Sequence, residues 1–329
     1  MKVHDVNLVC SSWRKMALAI FLTVISGPAS AQNYPSRSVT LVLPFAAGSV
    51  TDSTARVIAK YLQSELGQPF VIENKPGAGA MLAAQSVANA KPDGYTLLLT
   101  TSSSHSAAPA WFKSVPYDPI KDFTPIARIG TFSAVIVVNP QLPFNSMAEL
   151  IADAHANPGK LLYGYGNSTG RIIGETLKRR TGVDIASVPY RSDPAGNTDL
   201  IAGHIQIMIP SLNSVQGQIA AKLMRPLAVA DAVRNRSLPD VPTLSETVTP
   251  GFSLVAWAGL FGPANMAPEV VNILANKIRQ ALSRPEINES FASSGIAPFW
   301  GDPIIFKEYV EDSLLKWTTL IREAGIQPE

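Results

Sequence analysis

Short apolar, β-branched runs alternate with longer stretches of helical periodicity along most of the chain. Val39-Thr40-Leu41-Val42-Leu43 has the continuous apolar character of a strand buried on both faces. A loop from Pro44 to Val50 follows. Between Thr51 and Leu66, Ala55, Ile58, Ala59 and Leu62 recur at helical spacing, and Gly67 supplies a stop. Phe70-Val71-Ile72 reads as a second strand, followed by a Gly-rich turn and a helix from Met81 to Ala90. Tyr95 to Thr100 reads as a third strand. This order predicts a parallel sheet covered by helices.

The pattern then restarts. Ala134 to Val138 predicts a strand, and Ser146-Met147-Ala148-Glu149 is a capping box opening a helix to Asn157. Strands are expected over Leu161 to Gly164, Ala186 to Val188, Ile205 to Ile209 and Pro226 to Ala230, with helices over Gly170 to Arg180 and Pro194 to Ala202. Beyond a Pro-rich stretch (Pro239, Pro242, Pro250), Leu254 to Phe261 is a last apolar run. Helices from Pro268 to Leu282 and Pro303 to Ala324 each begin on a proline, which suits the first helical position. Two α/β units joined by extended segments predict two lobes around a cleft. One lobe comprises residues 32–131 plus 251–329, the other 132–250, with hinge crossings near 131 and 250. In open parallel sheets ligands sit beyond the carboxyl ends of the strands. That directs attention to the loops 44–52, 101–109, 165–171 and 190–199.

The N-terminus changes the charge arithmetic. Arg14-Lys15, the uncharged run Met16 to Ile25 and the small-residue site Ala29-Ser30-Ala31 have the layout of a secretory signal peptide cleaved after Ala31, giving an expected periplasmic location. The run is shorter than the roughly 20 residues needed to span a bilayer. Lys2, Arg14, Lys15 and Asp5 leave with this leader, so the formal charge of +2 falls to zero. The single cysteine, Cys10, goes too. The mature chain has neither disulfides nor a thiolate metal cluster, and its three histidines are scattered, so no metal or other cofactor is expected. A neutral balance also argues against nucleic acid as a partner.

Two loops carry residues with chemical potential. Gly166-Asn167-Ser168-Thr169-Gly170 matches G-x-S-x-G between a strand and a helix, the context of a hydrolase nucleophile elbow. An esterase would need a later histidine, and only His204 follows. The alternative is that the helix start and the Ser168 and Thr169 hydroxyls bind an anionic oxygen. Thr101-Ser102-Ser103-Ser104-His105-Ser106 is a hydroxyl-rich strand exit. Ser104 and His105, as sequence neighbours, are poorly placed for a nucleophile–base pair, so a ring of donors around a polar ligand is expected there instead.

The loops together resemble those of the Bug family, the TctC-like periplasmic receptors of tripartite tricarboxylate transporters. The resemblance begins with Pro44-Phe45-Ala46-Ala47-Gly48-Ser49-Val50-Thr51-Asp52 and Ala55-Arg56. It continues through Asn74-Lys75-Pro76-Gly77-Ala78-Gly79, Lys91-Pro92-Asp93-Gly94-Tyr95-Thr96, Val188-Pro189-Tyr190-Arg191, Pro239-Asp240-Val241-Pro242-Thr243 and Trp257-Ala258-Gly259-Leu260-Phe261. It covers residues 34–325. It implies an α/β, two-lobed type II periplasmic-binding-protein fold, each lobe a mainly parallel sheet flanked by helices. It also implies a monomeric, non-enzymatic receptor that closes on a small organic carboxylate and delivers it to membrane permease subunits. A sensory receptor serving a membrane kinase is the other outlet. By position, the resemblance implies ligand contacts from Phe45, Ala46, Ala47, Gly48, Thr51, Asp52, Ser102, Ser103, Ser104 and His105 in the first lobe. The second would add Tyr165, Ser168, Thr169, Arg191, Pro194, Ala195 and Asp199. The sequence departs from the family pattern at Ser49, at Ser192 (each replacing glycine), at Arg171 (replacing histidine) and at Ala108 (replacing asparagine). Trp111 and Tyr165 add aromatic surface, which points to an aromatic or amphiphilic carboxylate.

Overall fold

The computed structural model describes residues 34–327, so the expected leader and its cleavage site lie outside the described residues. Chain order gives β1 (Val39–Leu43), β2 (Phe70–Asn74), β3 (Thr96–Thr101) and β4 (Phe123–Phe132). Then come β5 (Val135–Val138), β6 (Leu162–Tyr165), β7 (Ala186–Pro189), β8 (Ile207–Met208) and β9 (Arg225–Val229), and finally β10 (Ala256–Pro263) and β11 (Ala297–Gly301). They form two sheets, one ordered β11-β4-β10-β3-β1-β2 and the other β7-β6-β8-β5-β9. The chain passes from the first sheet to the second between β4 and β5, and returns between β9 and β10.

Both sheets are mixed. β2, β1 and β3 are parallel, as the βαβαβ order requires, and so are β7, β6 and β8. β10 runs antiparallel to both β3 and β4, and β5 antiparallel to both β8 and β9. These reversed strands arrive from the other sheet rather than through a crossover helix, which frees them from the parallel rule.

Besides short helical turns such as Ala108–Trp111 and Gln216–Ala220, three longer elements escape the periodicity. β4 is interrupted by Pro125, Arg128 and Gly130, which hide its strand character. Pro125 lies where β11 no longer pairs with β4, an edge-like stretch in which a missing N–H is tolerated. The helix Pro285–Ser293 and β11 also emerge only in the structure. Elsewhere the elements match expectation to within a few residues. For example, the helix expected from Gly170 starts at Ser168 because Asn167 caps it, its side chain accepting from the Gly170 N–H.

The central strands of each sheet are buried on both faces, while the edge strands β2, β7 and β11 are partly exposed. In the second, Ile136 and Val138 point into one core with Tyr163, Ile172, Ile173 and Leu177, while Val135 and Val137 point into another with Leu200 and Met208. The unbroken Val135-Ile136-Val137-Val138 run follows from having apolar neighbours on both sides. In the first sheet, Val42, Leu98, Trp257 and Phe261 pack with Phe306 and Val310. Phe306 and Val310 belong to the helix Pro303–Glu323, whose far half places Trp317, Leu320 and Ile321 in the core of the second sheet. At about 1.5 Å per residue this 21-residue helix is about 30 Å long, enough to serve both cores. None of the described helices is long and apolar enough to cross a membrane.

Candidate functional site

The loop after β1 is held by one carboxylate. Asp52, 2% exposed, accepts from the Gly48 N–H (2.9 Å), Arg56 Nε (2.9 Å) and Nη2 (3.1 Å), and Asn74 Nδ2 (3.0 Å). Asn74 also donates to the Phe45 carbonyl (2.9 Å), and Ser49 Oγ accepts from the Asp52 N–H as the cap of helix Val50–Leu66. Burial pushes the Asp52 carboxyl up, but the hydrogen bonds from Arg56, Gly48 and Asn74 outweigh it and hold the group below the usual carboxylate range. Asp52 therefore fastens the loop from inside rather than facing a ligand, and Thr51 is buried beside it. What the loop presents outward is Ala46, Ala47 and Gly48, which are exposed. The Ala46 and Ala47 N–H groups donate to nothing among the described residues.

The matching loop in the second sheet follows β6. Its fastener is Asp193, which accepts from Asn167 Nδ2 on both oxygens (2.9 and 3.0 Å) and from the Ser211 N–H (2.9 Å). Burial pushes the Asp193 carboxyl up, only partly offset by hydrogen bonds from Ser211, Asn167 and the Gly166 N–H. Gly166 passes so close that a Cβ there would sit 2.1 Å from the Asp193 nitrogen. Asn167 Oδ1 takes the Gly170 N–H and the Asn167 carbonyl takes that of Arg171. The N–H groups of Ser168 and Thr169 stay free at the positive end of a 14-residue helix. Sequence reading passed over Asn167 and Asp193. Asn167 shows as a cap residue three before Gly170, whereas Asp193 is marked only by preceding Pro194.

The hydroxyl-rich exit of β3 divides in two. Ser103 is half-buried at the cleft, while Ser102, Ser104 and His105 are withdrawn from it. Contrary to expectation, Ser104 Oγ and His105 Nδ1 do meet, at 2.9 Å, because residues 103–107 form a π-helical turn that brings adjacent side chains to one side. Ser104 Oγ also meets Thr100 Oγ1 at 2.8 Å. The pair is inaccessible: the His105 ring stacks on Phe261 (4.1 Å) and tilts against Phe123 (4.5 Å), and burial lowers its pKa to about 3. It is a packed core histidine, not a donor to a ligand.

In the fourth loop, Asp199 is taken by Tyr190 Oη (2.8 Å) and His204 Nδ1 (3.3 Å). Burial, then the hydrogen bond to Asp199, pushes the Tyr190 phenol up to about 12. Arg191 and Pro194 are exposed and Ala195 half-buried. His204 is engaged with Asp199, and no hydrogen bond joins Ser168 to a histidine among the described residues.

What the structure does bring together is a cavity of about 270 Å³ between the loops after β1 and β3 and the start of helix Ser168–Thr181. Phe45, Ser103, Trp111 and Ser168 line it, and Ala107 and Ala108 of the expected loop 101–109, with Gly79, Ala80 and Phe112, complete its walls. Tyr165 is half-buried against the Tyr163 ring at 6.0 Å. Trp111 also faces the Arg171 guanidinium at 4.5 Å, so a cation stacks across from helix Ser168–Thr181 to the helix Ala108–Trp111. No group of three metal-capable side chains occurs among the described residues.

Comparison with known proteins points one way. The sequence model for the tripartite tricarboxylate transporter family receptor matches residues 54–326. Protein BugT of Bordetella pertussis is 32% identical over 313 residues, which is 94% of this chain and 96% of BugT. Among solved structures, Rpa4515 of R. palustris with adipate has a TM-score of 0.79 at 34% identity, covering 90% of this chain and all of that one. MatC of Rhodopseudomonas palustris with bound malate has a TM-score of 0.73 at 29% identity, covering 88% and 100%.

Proposed function

Because the chain belongs to the tripartite tricarboxylate transporter receptor family and is a solute receptor, we propose that its cleft takes a small organic acid with an apolar body. One observation carries this reading. Phe45 and Ser168, one from each sheet's loop, line a cavity whose remaining walls are mostly apolar, and the free N–H groups of Ala46 and Ala47 and of Ser168 and Thr169 belong to these same two loops. A carboxylate is stabilised by several oriented N–H donors, and ordered water can extend their reach. The mature chain is neutral and supplies no broad positive field, so recognition falls to these local donors. Phe45, Trp111 and Phe112 then offer surface to the hydrocarbon part of the ligand, in line with adipate on the similar R. palustris protein.

The two sheets are the natural halves of a hinged receptor. Residues 32–131 plus 251–329 would close on 132–250 about the crossings, and permease subunits in the membrane would receive the solute from the closed form. Members of the family are periplasmic receptors, and the leader read from Arg14 to Ala31 would place this chain there after cleavage.

Isothermal titration with adipate, benzoate, malate and citrate tests the ligand class. Adipate and benzoate are expected to bind at least about tenfold more tightly than the hydroxy acids, the gap that about 1.4 kcal/mol of apolar contact provides. Binding of malate and citrate alone would sink the proposal. Wild type and Ser168→Ala are expected to be equally inert toward p-nitrophenyl acetate. Turnover that disappears with Ser168 would instead mark an esterase.

A further inference from the structure

A second groove lies on the opposite side of the crossing strands from the cleft. β4 and β10 sit in the middle of the first sheet; β3 and β1, on one side of them, feed the cleft, and β11 lies on the other. Two adjoining cavities of about 520 and 460 Å³ open there, sharing Thr131, Asp231, Val233 and Phe299. They touch both crossings, since Thr131 is the penultimate residue of β4 and Asp231 follows β9.

At the centre is Arg128, a cation without a counter-ion. It is nine-tenths buried, its guanidinium lies 4.3 Å from the Phe299 ring centroid and 3.7 Å from that of Tyr309, and its Nε has no hydrogen-bond partner. No carboxylate pairs with it among the described residues. Lys316, two turns along the helix from Tyr309, lines the same groove and, among the described residues, donates only to Ser253 Oγ at 2.8 Å. Asp231 Oδ1 accepts from Ser133 Oγ (2.8 Å), but its Oδ2 is buried and unpartnered. Burial pushes the Asp231 carboxyl up, against the hydrogen bonds from Ser133 and Asn235. Asp312, on the groove wall, is exposed.

A buried cation whose N–H groups lack acceptors is costly, and such unsatisfied groups are rare in native proteins. The two aromatic rings pack against the guanidinium without accepting its N–H groups, which leaves them to an oxyanion, and a fork of N–H donors binds an oxyanion well. Phe299, half of it exposed, with Leu254 and Val255, adds an apolar wall. We propose that Arg128 and Lys316 form a second solute site, distinct from the cleft, for an organic carboxylate with an aromatic or aliphatic body.

Phenylacetate titrated into methyl-labelled full-length mature protein, read by NMR, tests this. Resonances of Val233, Leu254 and Val255 are expected to shift along a saturable curve of their own, separate from that of Ala107 and Ala108 in the cleft. Arg128→Met and Lys316→Gln are each expected to weaken the groove curve at least tenfold while leaving the cleft curve unchanged. Lys316 is exposed, so its variant remains informative if Arg128→Met does not fold. Absent groove shifts, or an unchanged groove Kd in Lys316→Gln, would overturn the site. Tighter binding of inorganic phosphate than of phenylacetate at the same resonances would overturn the assignment to an organic carboxylate.

Discussion

Asp52→Ala is expected to abolish measurable solute binding and to lower folding stability by about 1–2 kcal/mol, the scale for removing a hydrogen-bonding acceptor whose cationic partner, Arg56, stays open to solvent. The reason is connectivity. One carboxylate joins the loop at Gly48, the helix at Arg56 and the end of β2 at Asn74. Its removal takes the acceptor from the Gly48 N–H and the Arg56 guanidinium, reduces Asn74 to its bond with the Phe45 carbonyl, and lets residues 45–48 drift from the cleft. Asp52→Asn keeps an acceptor of similar shape and should fall between wild type and alanine in both measurements. The pH dependence has a definite sign. The folded-state pKa lies below the ordinary 3.8, so the contribution is complete above about 3.8 and is lost as pH falls through the lower folded value. Urea melts between pH 2 and 5 should therefore show a shallower acid loss in Asp52→Ala than in wild type. Parallel curves would remove Asp52 from this role.

Gly166→Ala is expected to be comparably damaging for a steric reason. The added methyl would sit 2.1 Å from the Asp193 nitrogen, 2.2 Å from the Ser192 carbonyl carbon and 2.6 Å from Asp193 Oδ1. Those neighbours are backbone and a carboxylate held by three donors, so none can swing away cheaply. Overpacking of this kind costs about 1–3 kcal/mol, and here the strain falls on the atoms that aim Ser168 and Thr169. Loss of at least about 100-fold in solute affinity is expected, as a displacement near 1 Å suffices to spoil a positioned site. Gly217→Ala, with open space around its position, is the control and should bind as wild type. Wild-type affinity in Gly166→Ala would show that the second loop does not hold the ligand.

The two-sheet fold was legible because its central strands are short apolar runs buried on both faces and its helices carry caps and glycine stops. β4 was hidden because its polar and proline positions serve packing with β11 and the groove at Arg128 rather than a uniform core. The site was legible as loops but not as individual contacts. The sequence pattern that marks the β1 loop includes Asp52, yet the pattern cannot say whether a carboxylate faces the ligand or ties the loop from behind. Likewise Ser102, Ser104 and His105 read as a polar surface, whereas a π-helical turn rotates most of that segment into an aromatic core. Asp193, the counterpart of Asp52, is not visible from spacing at all, because its partners Asn167 and Ser211 lie 26 and 18 residues away.

The most direct measurement is a crystal structure of the mature protein with the tightest-binding acid of the titration series. One carboxylate is expected within hydrogen-bonding reach, directly or through one water, of the Ala46–Ala47 amides on one side and the Ser168–Thr169 amides on the other, with the hydrocarbon part against Trp111 and Phe112. A ligand seated on one sheet only, or found solely in the groove at Arg128, would contradict the assignment of the cleft as the receptor site.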